Sequence, residues 1–160
     1  MKNYTLPAEV KNILDKFSKA RFQIFIVGGA VRDLLTNQHV KDWDFTTDAK
    51  PEEILKVLPE GFYDNIFGTV GVNSLLGVME ITTMRKEGKY EDFRHPSKVL
   101  WTKKIEEDLA RRDFTVNAIA LRLAPLAQGK LSYEIVDPFN GQQDINNKLI
   151  KAVGNPNQRF

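Results

Sequence analysis

Two aspartates separated by one residue, Asp42-Trp43-Asp44, are the first place in this sequence where residue type and spacing suggest chemistry. On a strand, residues i and i+2 share a face, so both carboxylates converge while Trp43 and Phe45 point to the other side, toward a core. Two carboxylates a few ångströms apart repel each other, and a hard divalent cation between them relieves that repulsion. Mg²⁺ suits such a pair because it fills the rest of its shell with phosphate oxygens and water. The simpler reading is an exposed strand edge or an Asx turn. Glu80, inside Val78-Met79-Glu80-Ile81-Thr82-Thr83-Met84-Arg85, is an acid among apolar neighbours. It either faces solvent or supplies a third carboxylate, completing a metal site or deprotonating an attacking hydroxyl in the manner of two-metal nucleotidyl transfer.

Two further stretches could handle phosphate. Gly28-Gly29 follows an apolar run and precedes a helical one, with Arg32 and Asp33 close behind. Paired glycines let the backbone turn tightly and let another group approach it. The N–H groups of a helix start then attract an anion, and Arg32 adds a forked donor. The plain alternative is a turn and nothing more. In Asp108-Leu109-Ala110-Arg111-Arg112-Asp113-Phe114-Thr115-Val116-Asn117-Ala118 the alternative is a helix with surface ion pairs, each worth about 0.3–0.5 kcal/mol. Two adjacent arginines point to different sides, however, so at least one needs another partner, which a triphosphate would supply.

The elements that must position these groups follow from periodicity. Val10, Ile13, Leu14 and Phe17 give residues 7–19 an amphipathic helical stripe opened by Pro7. Residues 22–27 read as a buried strand, 30–35 as a helix, 42–46 as a second strand and 51–58 as a helix with Pro51 in its first turn. Strands are expected over 69–73 and 78–84 around a 74–77 turn, and residues 86–98 form an exposed, mobile loop. A helix over 105–112 pairs Glu107 with Arg111 and Asp108 with Arg112 at i, i+4. Residues 119–123 and 133–136 make a hairpin-like pair, 137–141 a turn and 149–153 a last short strand. Irregular alternation of strands and helices favours an α/β or α+β sheet with helices packed on it.

Composition narrows the function classes. A chain of 160 residues, 42% hydrophobic and 28% charged, is sized and composed as one globular domain rather than a disordered segment. No apolar run is long enough to span a membrane, and the polar start Met1-Lys2-Asn3-Tyr4 lacks a signal peptide's apolar region, so a cytoplasmic protein is expected. The absence of cysteine and the presence of only two histidines exclude thiolate chemistry and leave most of the work of holding any metal to carboxylates. Against 21 acidic residues stand 23 basic ones, a net charge of +2 that does not by itself mark a nucleic-acid binder.

Taken in order, residues 27–33, Asp42-Trp43-Asp44, Glu80-Ile81-Thr82-Thr83, Tyr90-Glu91-Asp92-Phe93-Arg94-His95-Pro96 and residues 111–118 resemble the head region of class II tRNA nucleotidyltransferases (CCA-adding enzymes) and the related bacterial poly(A) polymerases. The resemblance spans about residues 20–155. It implies an α+β, polymerase β-like nucleotidyltransferase fold: a small, twisted, mostly antiparallel sheet with helices on one side. It implies that Asp42 and Asp44 hold catalytic Mg²⁺, that Glu80 assists an attacking 3′-hydroxyl, and that Gly28, Gly29 and Arg32 cradle the triphosphate of ATP or CTP. Arg112 would contact the nucleotide, with Asp113 and Asn117, one turn apart on a continued helix, positioning Arg112 and the ribose. Residues 86–98 would be the family's flexible loop. Members of that family continue into a base-selecting domain and helical tRNA-gripping domains, whereas this sequence stops at Phe160. Residues 1–160 are thus expected to be a catalytic head acting on a tRNA 3′ end through domains it lacks. A nucleotide-binding module without turnover, or a poly(A) polymerase head, are the alternatives.

Overall fold

The computed structural model describes residues 4–65, 68–86, 100–125 and 131–158. Helix α1 (Ala8–Lys19) buries the predicted stripe Val10, Ile13, Leu14 and Phe17. It is followed by β1 (Ile24–Val27), α2 (Gly29–Leu35), β2 (Asp44–Thr47), α3 (Pro51–Val57), β3 (Phe62–Asn65), β4 (Thr69–Ser74) and β5 (Gly77–Thr83). The short strands β6 (Arg85–Lys86) and β7 (Leu100–Trp101) pair with each other. The chain continues through α4 (Ile105–Ala110), a 3₁₀ turn (Thr115–Asn117), β8 (Ala120–Pro125), β9 (Leu131–Val136) and α5 (Gly141–Asn146).

Seven strands form one sheet in the order β3-β4-β5-β2-β1-β8-β9. Every neighbouring pair is antiparallel except β2 and β5, which run parallel with Asp44 opposite Glu80 and Phe45 opposite Ile81. The expected mostly antiparallel sheet with helices packed on it is therefore what the chain adopts. Helices cover both faces rather than one. Ile24 and Ile26 of β1 join α1, α2 and α3 in the larger core, whereas Phe25 and Val27 join Ile105 and Leu109 of α4 in a smaller one. Burial on both faces explains why β1 is an unbroken apolar run instead of an alternating one.

Several boundaries differ from the expected ones. Strand β2 begins at Asp44, so Asp42 lies at a bend just outside it; Trp43 and Phe45 are nonetheless buried as their spacing requires. Helix α4 ends at Ala110, short of the expected Arg112, and no helix carries Asp113 through to Asn117. The last strand is absent: Leu149 and Ile150 are exposed, and only Ala152 pairs, in an isolated bridge to Phe114. The stretch read as a turn at 137–141 leads directly into α5, whose first two N–H groups, on Gly141 and Gln142, donate to the Asp137 carboxylate. Of the expected 86–98 loop, Lys86 pairs in β6 and the remainder lies outside the described residues.

The segment from α5 onward straps the 113–118 turn in place. Thr115 Oγ1 donates to the buried Asp144 carboxylate at 2.7 Å, and its backbone N–H reaches the Lys151 carbonyl. The Val153 N–H donates to the Asp113 carbonyl. A methyl group on Gly141 would meet the Thr115 carbonyl oxygen at 2.2 Å, so this approach of two backbones needs glycine.

Candidate active site

The face of the sheet opposite the larger core carries Asp44 and Glu80. They are register partners on adjacent parallel strands, and partners in such a pair project to the same side. The pairing is reinforced at its start by the Glu80 N–H, which donates to the Trp43 carbonyl at 3.1 Å. Asp42 and Glu80 are exposed and Asp44 is half-buried. Burial raises the Asp44 pKa above the usual carboxylate range; the Arg112 charge opposes that shift and the Asp42 carboxylate adds to it. Asp42 and Asp44 thus feel each other electrostatically. Protonation or a bound cation would relieve that strain.

The donor set suits a hard divalent cation. Among the described residues no three His, Asp or Glu side chains form a metal cage by themselves. Such cations are commonly held by one or two carboxylates, with substrate phosphates and water completing the shell. A paired Asp42 and Asp44 open to solvent meet that description.

On the other side of Asp44, toward β1, lies a cationic flank. Strand β1 ends at Val27, and Gly28 follows it with a φ of +68° and ψ of −138°, a region that suits glycine. A β-carbon there would stand 3.1 Å from Arg112 Nη1 and 3.8 Å from Asp44 Oδ2, so Gly28 sits at the junction of the two charged groups. Gly29 starts α2 and leaves room beside the Arg32 guanidinium, which a β-carbon would approach to 3.4 Å. Gly28→Ala is therefore expected to cost about 1–3 kcal/mol through backbone strain and to displace Arg112. Thermal unfolding and Mg-nucleotide titration of the variant check this; unchanged values in both would contradict the packing argument.

Arg32 is fixed on two sides. Its Nε and Nη2 reach Asp33 Oδ1 at 3.0 and 2.9 Å, and Nη1 donates to Asn117 Oδ1 at 3.0 Å. Asn117 therefore orients Arg32 rather than Arg112, a pairing across 85 residues that spacing does not reveal. Asp113 is exposed and contributes its carbonyl to the Val153 N–H.

Asp108 organises Arg112. It is 0% exposed, accepts from the Arg85 N–H at 3.1 Å and Arg111 Nε at 3.0 Å, and forms an ion pair with Arg112 at 3.6 Å. The expected Glu107–Arg111 pair is replaced by Asp108–Arg111, while Glu107 accepts from the Thr102 hydroxyl. These are not the surface ion pairs that the sequence alone also allowed. One buried carboxylate faces three arginines, and burial, with mutual repulsion adding to it, lowers the pKa of both Arg85 and Arg112. Arg112 Nε is buried with no hydrogen-bond partner among the described residues. The cluster carries excess positive charge beside the glycine turn and can accept an anion. Asp108 as its buried anchor was legible only in part, through the i+3 and i+4 spacing to the two arginines within an otherwise apolar stretch.

Comparison with known proteins identifies relatives of this chain. The chain is 44% identical over 149 residues to the CCA-adding enzyme of Listeria monocytogenes serovar 1/2a, covering 92% of this chain and 36% of that protein. It is 43% identical over 154 residues to the CCA-adding enzyme of Staphylococcus saprophyticus, covering 94% and 36%. Among solved structures, the Bacillus stearothermophilus CCA-adding enzyme in complex with CTP superposes with a TM-score of 0.76 at 32% identity, covering 97% of this chain and 36% of that one. A tRNA nucleotidyltransferase complexed with a primer tRNA and an incoming ATP analog gives 0.67 at 28% identity, covering 89% and 39%. The chain thus spans little more than a third of the length of these relatives. The family model for the poly A polymerase head domain matches residues 24–151, and the chain belongs to that family.

Proposed function

We propose that residues 1–160 are the nucleotidyltransferase head of a cytoplasmic enzyme that moves CMP or AMP from CTP or ATP to an RNA 3′-hydroxyl, foremost in tRNA 3′-CCA addition or repair. The observation that carries this reading is the polarity of the site about Asp44: carboxylates on the β5 side, glycine turn and arginines on the β1 side. The relatives' names, and the CTP, ATP analog and primer tRNA bound in the solved structures, support the same chemistry. No described helix is long and apolar enough to cross a membrane.

In this mechanism Asp42 and Asp44 would hold Mg²⁺, which when bound supplies charge neutralisation at the reacting phosphate and activates the attacking hydroxyl. Gly28 and Gly29 let the triphosphate approach the backbone at the start of α2. Arg32, held by Asp33 and Asn117, and Arg112, held by Asp108, donate to the phosphate oxygens that become pyrophosphate. Glu80 takes or orients the proton of the 3′-hydroxyl. The RNA O3′–Pα bond forms as the Pα–O bond to pyrophosphate breaks. Asp113 remains a candidate contact to the ribose.

Because the chain spans about a third of its relatives, a second reading is a nucleotide-binding module that turns over only with further domains or a partner. Incubating the chain with Mg²⁺, labelled ATP or CTP and a tRNA lacking its 3′ end separates the two: product marks an enzyme, binding without product a module. The expected result is weak, base-indifferent Mg-nucleotide binding with poor or absent tailing. Tight discrimination of CTP from GTP in calorimetry would overturn that expectation.

A further inference from the structure

The row of residues that contains Asp44 and Glu80 continues across the sheet: Glu80 is opposite Gly71 on β4, and Gly71 is opposite Phe62 on the edge strand β3. Register partners share a face, so Phe62, Gly71, Glu80 and Asp44 lie in one line on the site side. Phe62 is large, apolar and 40% exposed. The outer edge of its ring reaches over Gly71, where an added β-carbon would stand 2.5 Å from the ring's Cζ. The glycine lets the aromatic ring fold down toward Glu80, about one strand spacing of 4.8 Å away. Val78, half-exposed, lies on the same face two residues before Glu80.

Resting on the nucleotidyl-transfer reading above, we propose that Phe62 is the stacking platform for the 3′-terminal base of the RNA acceptor. In-line displacement puts the attacking and leaving oxygens on opposite sides of the phosphorus. The arginines and glycine turn place the leaving pyrophosphate on the β1 side of Asp44, so the acceptor enters from the β5-β4-β3 side. A terminal nucleotide with its 3′-hydroxyl at Glu80 then carries its base over Gly71, where the Phe62 ring lies. Among the described residues that flank holds carboxylates and no clustered arginines, which favours base stacking over phosphate attraction as the hold on the acceptor end. Stacking is tolerant of base identity, which suits an acceptor whose last base changes after each addition.

The test measures binding of a short single-stranded RNA ending in CC, by fluorescence anisotropy at low salt with Mg²⁺, to the full 160-residue chain and to Phe62→Ala, Phe62→Leu and Phe62→Trp. Expected are roughly ten- to a hundredfold weaker RNA binding for the Ala and Leu variants and recovery in the Trp variant. Mg-ATP affinity and melting temperature should stay unchanged. The Leu variant preserves apolar packing over Gly71, so a merely structural role would spare it. Equal RNA affinity in all four proteins, or no RNA binding by the unaltered chain, overturns the platform. Failure of Mg-ATP binding in the unaltered chain instead overturns the underlying functional reading.

Discussion

Asp108→Ala is expected to lower the unfolding free energy by about 3–5 kcal/mol, the cost of removing one partner from a buried charge cluster. At roughly 2–4 °C per kcal/mol for a chain of this size, the melting temperature should fall by about 6–20 °C. The carboxylate is fully buried and serves Arg111, Arg112 and the Arg85 N–H at once. Removing it leaves an N–H without its acceptor and takes away the charge that offsets clustered guanidiniums already strained by burial. Asp108→Asn, which can still accept the Arg85 N–H but lacks the charge, should fall between the two. Urea denaturation checks the order, and an Ala variant as stable as the unaltered chain would refute the anchoring role. Arg112 should also lose its position beside Gly28, so nucleotide affinity falls in parallel.

How much of this was legible in the sequence depends on whether a signal was local. The stripe of α1, the β1–Gly28–α2 turn and the β4–β5 hairpin all carry their period or punctuation within a few residues, and they formed as expected. Strand β3 carries no such signal: four residues, Phe-Tyr-Asp-Asn, become a strand because the β4 edge pairs with them. Helix α5 lacks an apolar period and exists because Asp137 caps it and Gly141 packs on Thr115. The reverse failure is Leu149-Ile150, an apolar pair that promised a strand but lies exposed where no sheet edge receives it. At the site, residue types were readable and partnerships were not. The in-register meeting of Asp44 and Glu80, the Arg32–Asn117 bond and the burial of Asp108 are products of tertiary structure.

Asp44→Asn is expected to abolish Mg²⁺-dependent nucleotide binding by the chain, and nucleotide addition by an enzyme carrying this head, while stabilising the metal-free fold. The loss follows from its place: Asp44 lies between the Glu80 flank and the Gly28–Arg112 flank, and no other described carboxylate shares its register with Glu80. Several kcal/mol of charge neutralisation would disappear, at least about a hundredfold in rate. The stability gain follows from the pKa. Burial, with Asp42 adding to it, raises the Asp44 pKa in the folded chain. The native state then binds this proton more tightly than the unfolded state does, so stability falls as pH rises from the ordinary carboxylate range through the raised value and is flat above it. At neutral pH the charged Asp44 is a net cost to the metal-free fold, which the neutral amide removes. Added Mg²⁺ and nucleotide should raise the melting temperature of the unaltered chain and leave that of Asp44→Asn where it was. A variant that is less stable without metal, or that still gains stability from Mg-nucleotide, would show that Asp44 is held by packing rather than poised for a cation. The combination of a more stable fold with no ligand response is the signature of a carboxylate kept under electrostatic strain for binding.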